Sequence, residues 1–136
     1  MKTQTSSMPQ ILVIDDDESM RFMLQTKLFQ CGFGVTLAGS GSHAIQILQT
    51  AKKFDLILCD LKMPLKSGID VIKFMRDSNI NTPMVILTGF PEREKIIAAA
   101  QMGIQDVLVK PVRHADLMKM VRLKLGMEDD TQKSAA

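Results

Sequence analysis

The chain has no tryptophan and no tyrosine. Proteins that hold single-stranded nucleic acid stack bases on aromatic faces, so that class is disfavoured at the outset. Charge of one sign is lacking too. Seventeen basic against fifteen acidic residues leave a net charge of +2, too small to imply direct nucleic-acid binding. The two cysteines, Cys31 and Cys59, sit in apolar surroundings without CxxC spacing. That usage suits a reduced, cytoplasmic protein better than a secreted one. Residues 1–10 are polar with no apolar signal core, and no later stretch approaches a membrane span, so no membrane insertion is expected. A glycine-rich phosphate loop with its lysine is missing, which argues against nucleotide as a direct ligand. Neither His43 nor His114 is placed to favour zinc. Internal repeats and low-complexity segments are absent.

What remains is a length of 136 residues, enough for one domain. A domain near this size buries roughly 68–70% of its unfolded surface, so the core needs no disulfide or structural metal. Short β-like runs at 11–14, 35–38, 56–59, 84–87 and 107–109 alternate with helix-period stripes. Met20, Met23, Leu24, Leu28 and Cys31 form the first stripe, closed by Gly32; Ala44, Ile47, Leu48 and Ala51 form the second. Val71, Ile72 and Met75 make the third. Ile96, Ile97 and Ala100 lead to Gly103, and Leu117, Met120, Val121 and Leu125 to Gly126. Five βα units with apolar strands imply an α/β fold, a doubly wound five-stranded parallel sheet with helices on both faces. The expected organisation is a disordered segment over 1–9, a domain over 10–126, and a polar tail or linker stump over 127–136.

The chemistry gathers at the ends of the runs. Leu56-Ile57-Leu58-Cys59 ends in Asp60, and the first run ends in Asp15-Asp16-Asp17. The fourth ends in Thr88 and the fifth in Lys110. In a flavodoxin-like sheet of order 2-1-3-4-5, ligands sit outside the carboxyl ends of the strands, between the first and third. All of these groups then share one rim. Two carboxylates ~5 Å apart repel by roughly 3 kcal/mol at an effective dielectric of 20, so the cluster requires a cation. Hard oxygen donors favour Mg²⁺. A carboxylate beside Mg²⁺, an amine and a hydroxyl is suited to accepting a phosphoryl group as an acyl phosphate.

Asp15-Asp16, Asp60 with Met63-Pro64 and Gly68, Thr88-Gly89 and Lys110-Pro111 resemble the receiver domain of two-component response regulators, a CheY-like superfamily. Arg21 and the Gly32-Phe33 turn also fit. The resemblance implies that Asp60 is the phosphoacceptor, taking its phosphoryl group from a phosphohistidine on a sensor histidine kinase or phosphotransfer protein. It implies Mg²⁺ ligation by Asp16, Asp60 and the Lys62 backbone carbonyl, with Asp15 acting through a water. Thr88 is then the switch hydroxyl, and Lys110 the phosphoryl's counter-ion, ahead of a peptide bond that is typically cis. The partners implied are that kinase and a downstream output domain or protein, with a homodimer also possible. Such a domain is a signalling switch, an enzyme only in its own phosphotransfer and autodephosphorylation.

Two positions depart from the pattern. Val107 stands where the family commonly has Tyr or Phe, so the usual coupling of Thr88 to a ring is in doubt. Lys62 and Phe90 hold positions that influence attack of water on the acyl phosphate, and a long cation and a ring there would shield it. Two other readings stay in view. Asp15-x-Asp17-x-Ser19 resembles the first motif of haloacid-dehalogenase-type phosphatases, with Asp15 as nucleophile and Asp129-Asp130 as the only acidic pair after the lysine. The other is a phosphorylation-independent scaffold of the same fold, supported by Val107 alone.

Overall fold

The computed structural model describes residues 8–63, 65–89 and 92–127. Almost all of the expected terminal segments therefore lies outside the described residues. The order is β1 (Gln10–Ile14), α1 (Glu18–Gln30), β2 (Gly34–Ala38), α2 (Gly41–Leu48), β3 (Leu56–Asp60), α3 (Gly68–Asp77), β4 (Met84–Thr88), α4 (Arg93–Gln101), β5 (Asp106–Val109) and α5 (His114–Lys124). The strands form one parallel sheet, ordered β2-β1-β3-β4-β5, as the sequence led us to expect. Register places Ile14 beside Cys59, Asp60 beside Leu87 and Thr88 beside Val109, so the polar strand ends share one rim.

Alternation along the strands divides the core. Leu12, Ile14, Ile57, Cys59 and Ile86 face α2, α3 and α4, while Ile11, Val13, Leu56, Leu58, Val85 and Leu87 face α1 and α5. β1, β3 and β4 are buried on both faces, which is why they read as unbroken apolar runs. β2 and β5 lie at the edges and are only half-buried, a difference their apolar residues did not signal.

Three helix stripes differ from the expected ones. Ala51 is exposed and lies beyond α2, which ends at Leu48. In the next turn the Thr50 hydroxyl donates to the Ile47 carbonyl at 2.7 Å, closing the chain on itself without a glycine. On α4 Ile97 is 48% exposed, and small Ala99 is the residue fully buried. On α5 Met118 is buried where Met120 is only partly so.

Helix starts are tied down by side chains. The Asp17 carboxylate accepts from the Met20 N–H and so caps α1, and Ser40 caps α2. At α3 Ser67 and Asp70 form a reciprocal capping box, with Ser67 N–H donating to Asp70 Oδ2 at 2.9 Å. That backbone bond is the main reason the Asp70 carboxyl lies below its ordinary value. Ser67→Ala should lower stability by about 1 kcal/mol, read as a shift in the urea midpoint. Asp70 is a depressed carboxyl, so its contribution is present above the unfolded value. It is lost as pH falls through the folded one. Ser67→Ala keeps the backbone N–H and loses only the hydroxyl's smaller share, so its deficit should shrink only slightly on acidification; a midpoint unchanged at neutral pH would show that the box is not holding α3.

Candidate functional site

Asp15 follows β1 and Asp60 ends the adjacent β3, and both are among the few polar residues the fold buries, at 1% and 7% exposure. Two carboxylates that deep demand a cation. Lys110 provides it from the end of β5. Its Nζ lies 2.6 Å from Asp15 Oδ2 and 3.1 Å from Asp60 Oδ2. The other oxygens are met by backbone: Asp17 N–H donates to Asp15 Oδ1 at 3.0 Å, and Lys62 N–H to Asp60 Oδ1 at 3.1 Å. No buried side-chain nitrogen or oxygen among the described residues lacks a hydrogen-bond partner.

Asp16 completes the cluster from the exposed side. One ligand oxygen from each of Asp15, Asp16 and Asp60 falls within 4.8 Å of the others. Three carboxylates, two buried and one open to solvent, form an all-oxygen donor set that fits a hard divalent cation keeping some of its water.

The backbone around the site is fixed from several directions. Arg21 reaches back from α1, its Nη1 donating to the Asp15 carbonyl at 2.7 Å. Lys110 N–H donates to the Thr88 carbonyl at 2.8 Å, tying the ends of β4 and β5 together. Thr88 itself is buried at the same rim. The Lys110–Pro111 peptide is cis. Gly68, part of the sequence pattern, shows a steric reason for being glycine. A Cβ there would lie 2.7 Å from the Asp60 carbonyl oxygen and 2.9 Å from Leu61 Cα, so the start of α3 can pack on the loop after Asp60 only without a side chain.

Electrostatics follow from burial. Desolvation pushes the Asp60 carboxyl above its ordinary value. The Lys62 N–H and Lys110 pull it back only in part, and the Asp15 charge adds to the rise. For Lys110, burial pulls the ammonium down, but its bonds to Asp15 and Asp60 outweigh that and hold it above its ordinary value. Cys59, fully buried beside the cluster, is pushed far up by desolvation and by the charges of Asp60 and Asp15. It is unreactive packing.

The structure thus brings together Asp15, Asp16, Asp60 and Lys110, with Thr88 and Lys62 alongside. Phe90 and Pro64 lie outside the described residues. Sequence reasoning missed the Ser67–Asp70 box, although its S-x-x-D spacing was visible. It also missed Arg76, whose Nε donates to the Met102 carbonyl at 2.8 Å and Nη1 to the Ile80 carbonyl at 3.2 Å. No local signal marks a contact across 26 residues.

Among the described residues no helix is long and apolar enough to cross a membrane. Comparison with known proteins points one way. The chain is 35% identical over 121 residues to the DNA-binding response regulator MtrA of Mycobacterium tuberculosis, covering 88% of this chain and 52% of that protein. It is 29% identical over 114 residues to the transcriptional regulatory protein DltR of Streptococcus agalactiae, covering 84% and 50%. The chain therefore spans about half the length of these relatives. Among solved structures, a chemotaxis response regulator of Vibrio cholerae superposes with a TM-score of 0.79 at 30% identity, covering 88% of this chain and all of that one. The receiver domain of the Francisella response regulator 1452 gives 0.78 at 32%, covering 87% and 97%. The family model described as the response regulator receiver domain matches residues 11–122, the span that carries all five strands and every residue of the acidic rim. With fold, site and relatives in agreement, the chain belongs to the response regulator receiver domains of two-component signalling.

Proposed function

We propose that Asp60 accepts a phosphoryl group from the phosphohistidine of a sensor kinase or phosphotransfer protein, in the cytoplasm, and that the change switches binding of an output partner. The observation that carries this reading is Lys110 bridging Asp15 and Asp60, with Asp16 completing an oxygen cluster at the open side. An Asp60 oxygen attacks phosphorus, the P–N bond to imidazole breaks, and an acyl phosphate remains. Asp15, Asp16, Asp60 and the Lys62 carbonyl would hold Mg²⁺. When bound, Mg²⁺ supplies charge neutralisation and a template for the phosphoryl oxygens. Lys110 pairs with a phosphoryl oxygen, exchanging one anionic partner for another, and the Thr88 hydroxyl donates to the group once it is in place. Hydrolysis of the acyl phosphate resets the domain.

The phosphatase reading with Asp15 as nucleophile is not favoured. The chain matches the receiver family along the rim, and Asp15 lies deeper than Asp60, at 1% exposure against 7%. Its required second acidic pair, Asp129-Asp130, lies outside the described residues. A pure scaffold would have no need of the buried cluster.

Intact-mass measurement with a small phosphodonor tests the proposal. One phosphoryl group should add to the wild type with Mg²⁺, and none should add without Mg²⁺ or in Asp60→Asn. An undiminished adduct in Asp60→Asn would move the acceptor elsewhere.

Val107 shapes the switch. It packs with the α2–α4 core cluster and lies opposite Ile86 in register. A β-branched side chain has few χ1 states and no ring to swing toward Thr88. Activation should therefore move the loop after Thr88 and the start of α4, whose N-cap Glu92 makes no side-chain capping bond. Amide NMR with a stable phosphoryl mimic should show the largest shifts at Thr88, Gly89 and Glu92–Lys95. Shifts confined to Val107, Leu108 and Val109 would sink this account of the switch.

A further inference from the structure

The two outer strands of the sheet are finished differently. β5 carries Asp106 at its edge, held 2.6 Å from Lys124. β2, Gly-Val-Thr-Leu-Ala, has neither a charged residue nor a proline, the usual means of blunting an open edge. Beside it runs the flank of α1, where Phe22 and Phe29 are 67% and 66% exposed. One open hollow lies between Phe22 and Leu37, and a second between Phe29 and Val35.

Backbone parity along this edge is fixed by its inward bonds. Gly34 N–H donates to the Pro9 carbonyl, and the Ala38 carbonyl accepts from Asp15 N–H, so both residues face β1. Direction alternates along a strand, so Val35 and Leu37 aim their N–H and C=O groups away from the sheet. Their side chains pack on the α1 face, with Leu24 and Leu28.

We propose that a second copy of this chain pairs antiparallel along the β2 edge, about a two-fold axis through Thr36. Val35 of one copy then lies opposite Leu37 of the other, twice. Each pair exchanges two hydrogen bonds, which satisfies all four outward groups on each strand. Because α1 runs antiparallel to β2, the same axis brings Phe22 of one copy against Phe29 of the other. An unrelated extended peptide would also satisfy the strand, but only a second copy brings a matching pair of exposed phenylalanines to Phe22 and Phe29. Such a self-matching patch is what an isologous contact requires. Between the two rings α1 presents Gln25 and Thr26, so the copies meet there without like charges. Lys52 approaches from the other face, its Nζ donating to Thr36 Oγ1 at 2.9 Å. Two such ammoniums flank the axis, so added salt tightens the dimer. The contact is one strand and one helix flank per copy, which makes a reversible, concentration-dependent dimer. It leaves both acidic rims open.

Sedimentation of the full chain over a concentration series tests this, with circular dichroism to establish that variants fold. Val35→Pro removes an outward donor and leaves the inward ladder intact, and Phe29→Glu alters only an exposed ring. The wild type should dimerise reversibly, and each variant should weaken the dimer by roughly tenfold or more. If Val35→Pro does not fold, Phe29→Glu alone carries the comparison. In a Cys31→Ser background, Thr36→Cys should oxidise to a linked dimer, because a non-hydrogen-bonded antiparallel pair sets Cα atoms about 4.5 Å apart, within disulfide reach. Gln49→Cys, exposed and remote from the edge, should not. A wild type that stays monomeric throughout, a dimer that salt dissolves, a dimer indifferent to Phe29→Glu, or Thr36→Cys that fails to link would each overturn the proposal.

Discussion

Lys110→Met should destabilise the metal-free protein by about 3 kcal/mol at neutral pH. The methionine keeps most of the stem's packing, so the loss is electrostatic. Asp15 and Asp60 are left facing each other in a site where their side chains are 1% and 9% exposed. Removing one partner of a buried ion pair costs more than the pair contributed, because the remaining charge is stranded. Acid should relieve the deficit. The Asp60 carboxyl is already raised by burial, and loss of Lys110 removes two of the influences that restrain it. A raised carboxyl contributes stability that is present below the unfolded value and lost as pH rises through the folded one. The variant should therefore approach the wild type as pH falls into the range where Asp60 protonates. Mg²⁺ should also restore part of the loss, by supplying the missing positive charge. Urea unfolding at several pH values, with and without Mg²⁺, checks each point. A deficit independent of both would mean that Lys110 acts through packing.

The second large effect concerns the metal. Asp16→Asn should lower Mg²⁺ affinity by at least roughly tenfold, since loss even of an outer-shell partner costs that much at metal sites. Asp16 is exposed and makes no ion pair with Lys110, so the metal-free fold should not suffer. Relief of repulsion with Asp15 and Asp60 should leave it as stable as the wild type or more so. The Mg²⁺-dependent rise in unfolding temperature is the readout, because a ligand that binds only the folded state stabilises it by mass action. An unchanged rise in Asp16→Asn would remove that residue from the ligand set. A metal-free variant less stable than the wild type would contradict the repulsion argument.

Much of this site was legible in the sequence because its residues break a pattern. Asp60 and Lys110 close apolar runs, and a charge at the end of a buried strand has to be answered by another. The runs themselves gave the sheet, and the switch-point rule located its rim. Which strands lie outermost was not legible: Val35, Leu37 and Leu108 look like core residues but belong to edges. Helix ends were read too long where no glycine stops the chain, as at Ala51. Ile97 and Ala99 show the converse problem. The periodicity of α4 fits two registers, and packing against α3 selects the one that brings small Ala99 into the core. The reason for Gly68 needed three dimensions, since the atoms that exclude its Cβ belong to the Asp60–Leu61 backbone.

The central claim is that the acyl phosphate forms on Asp60 and nowhere else. Borohydride reduces an acyl phosphate at the carbonyl carbon, so the modified aspartate becomes homoserine and can be located by peptide mass mapping. After treatment with a small phosphodonor and Mg²⁺, homoserine should appear at position 60 and be absent from 15, 16 and 17. Homoserine at position 15, with 60 intact, would contradict the account and return the chain to the phosphatase reading.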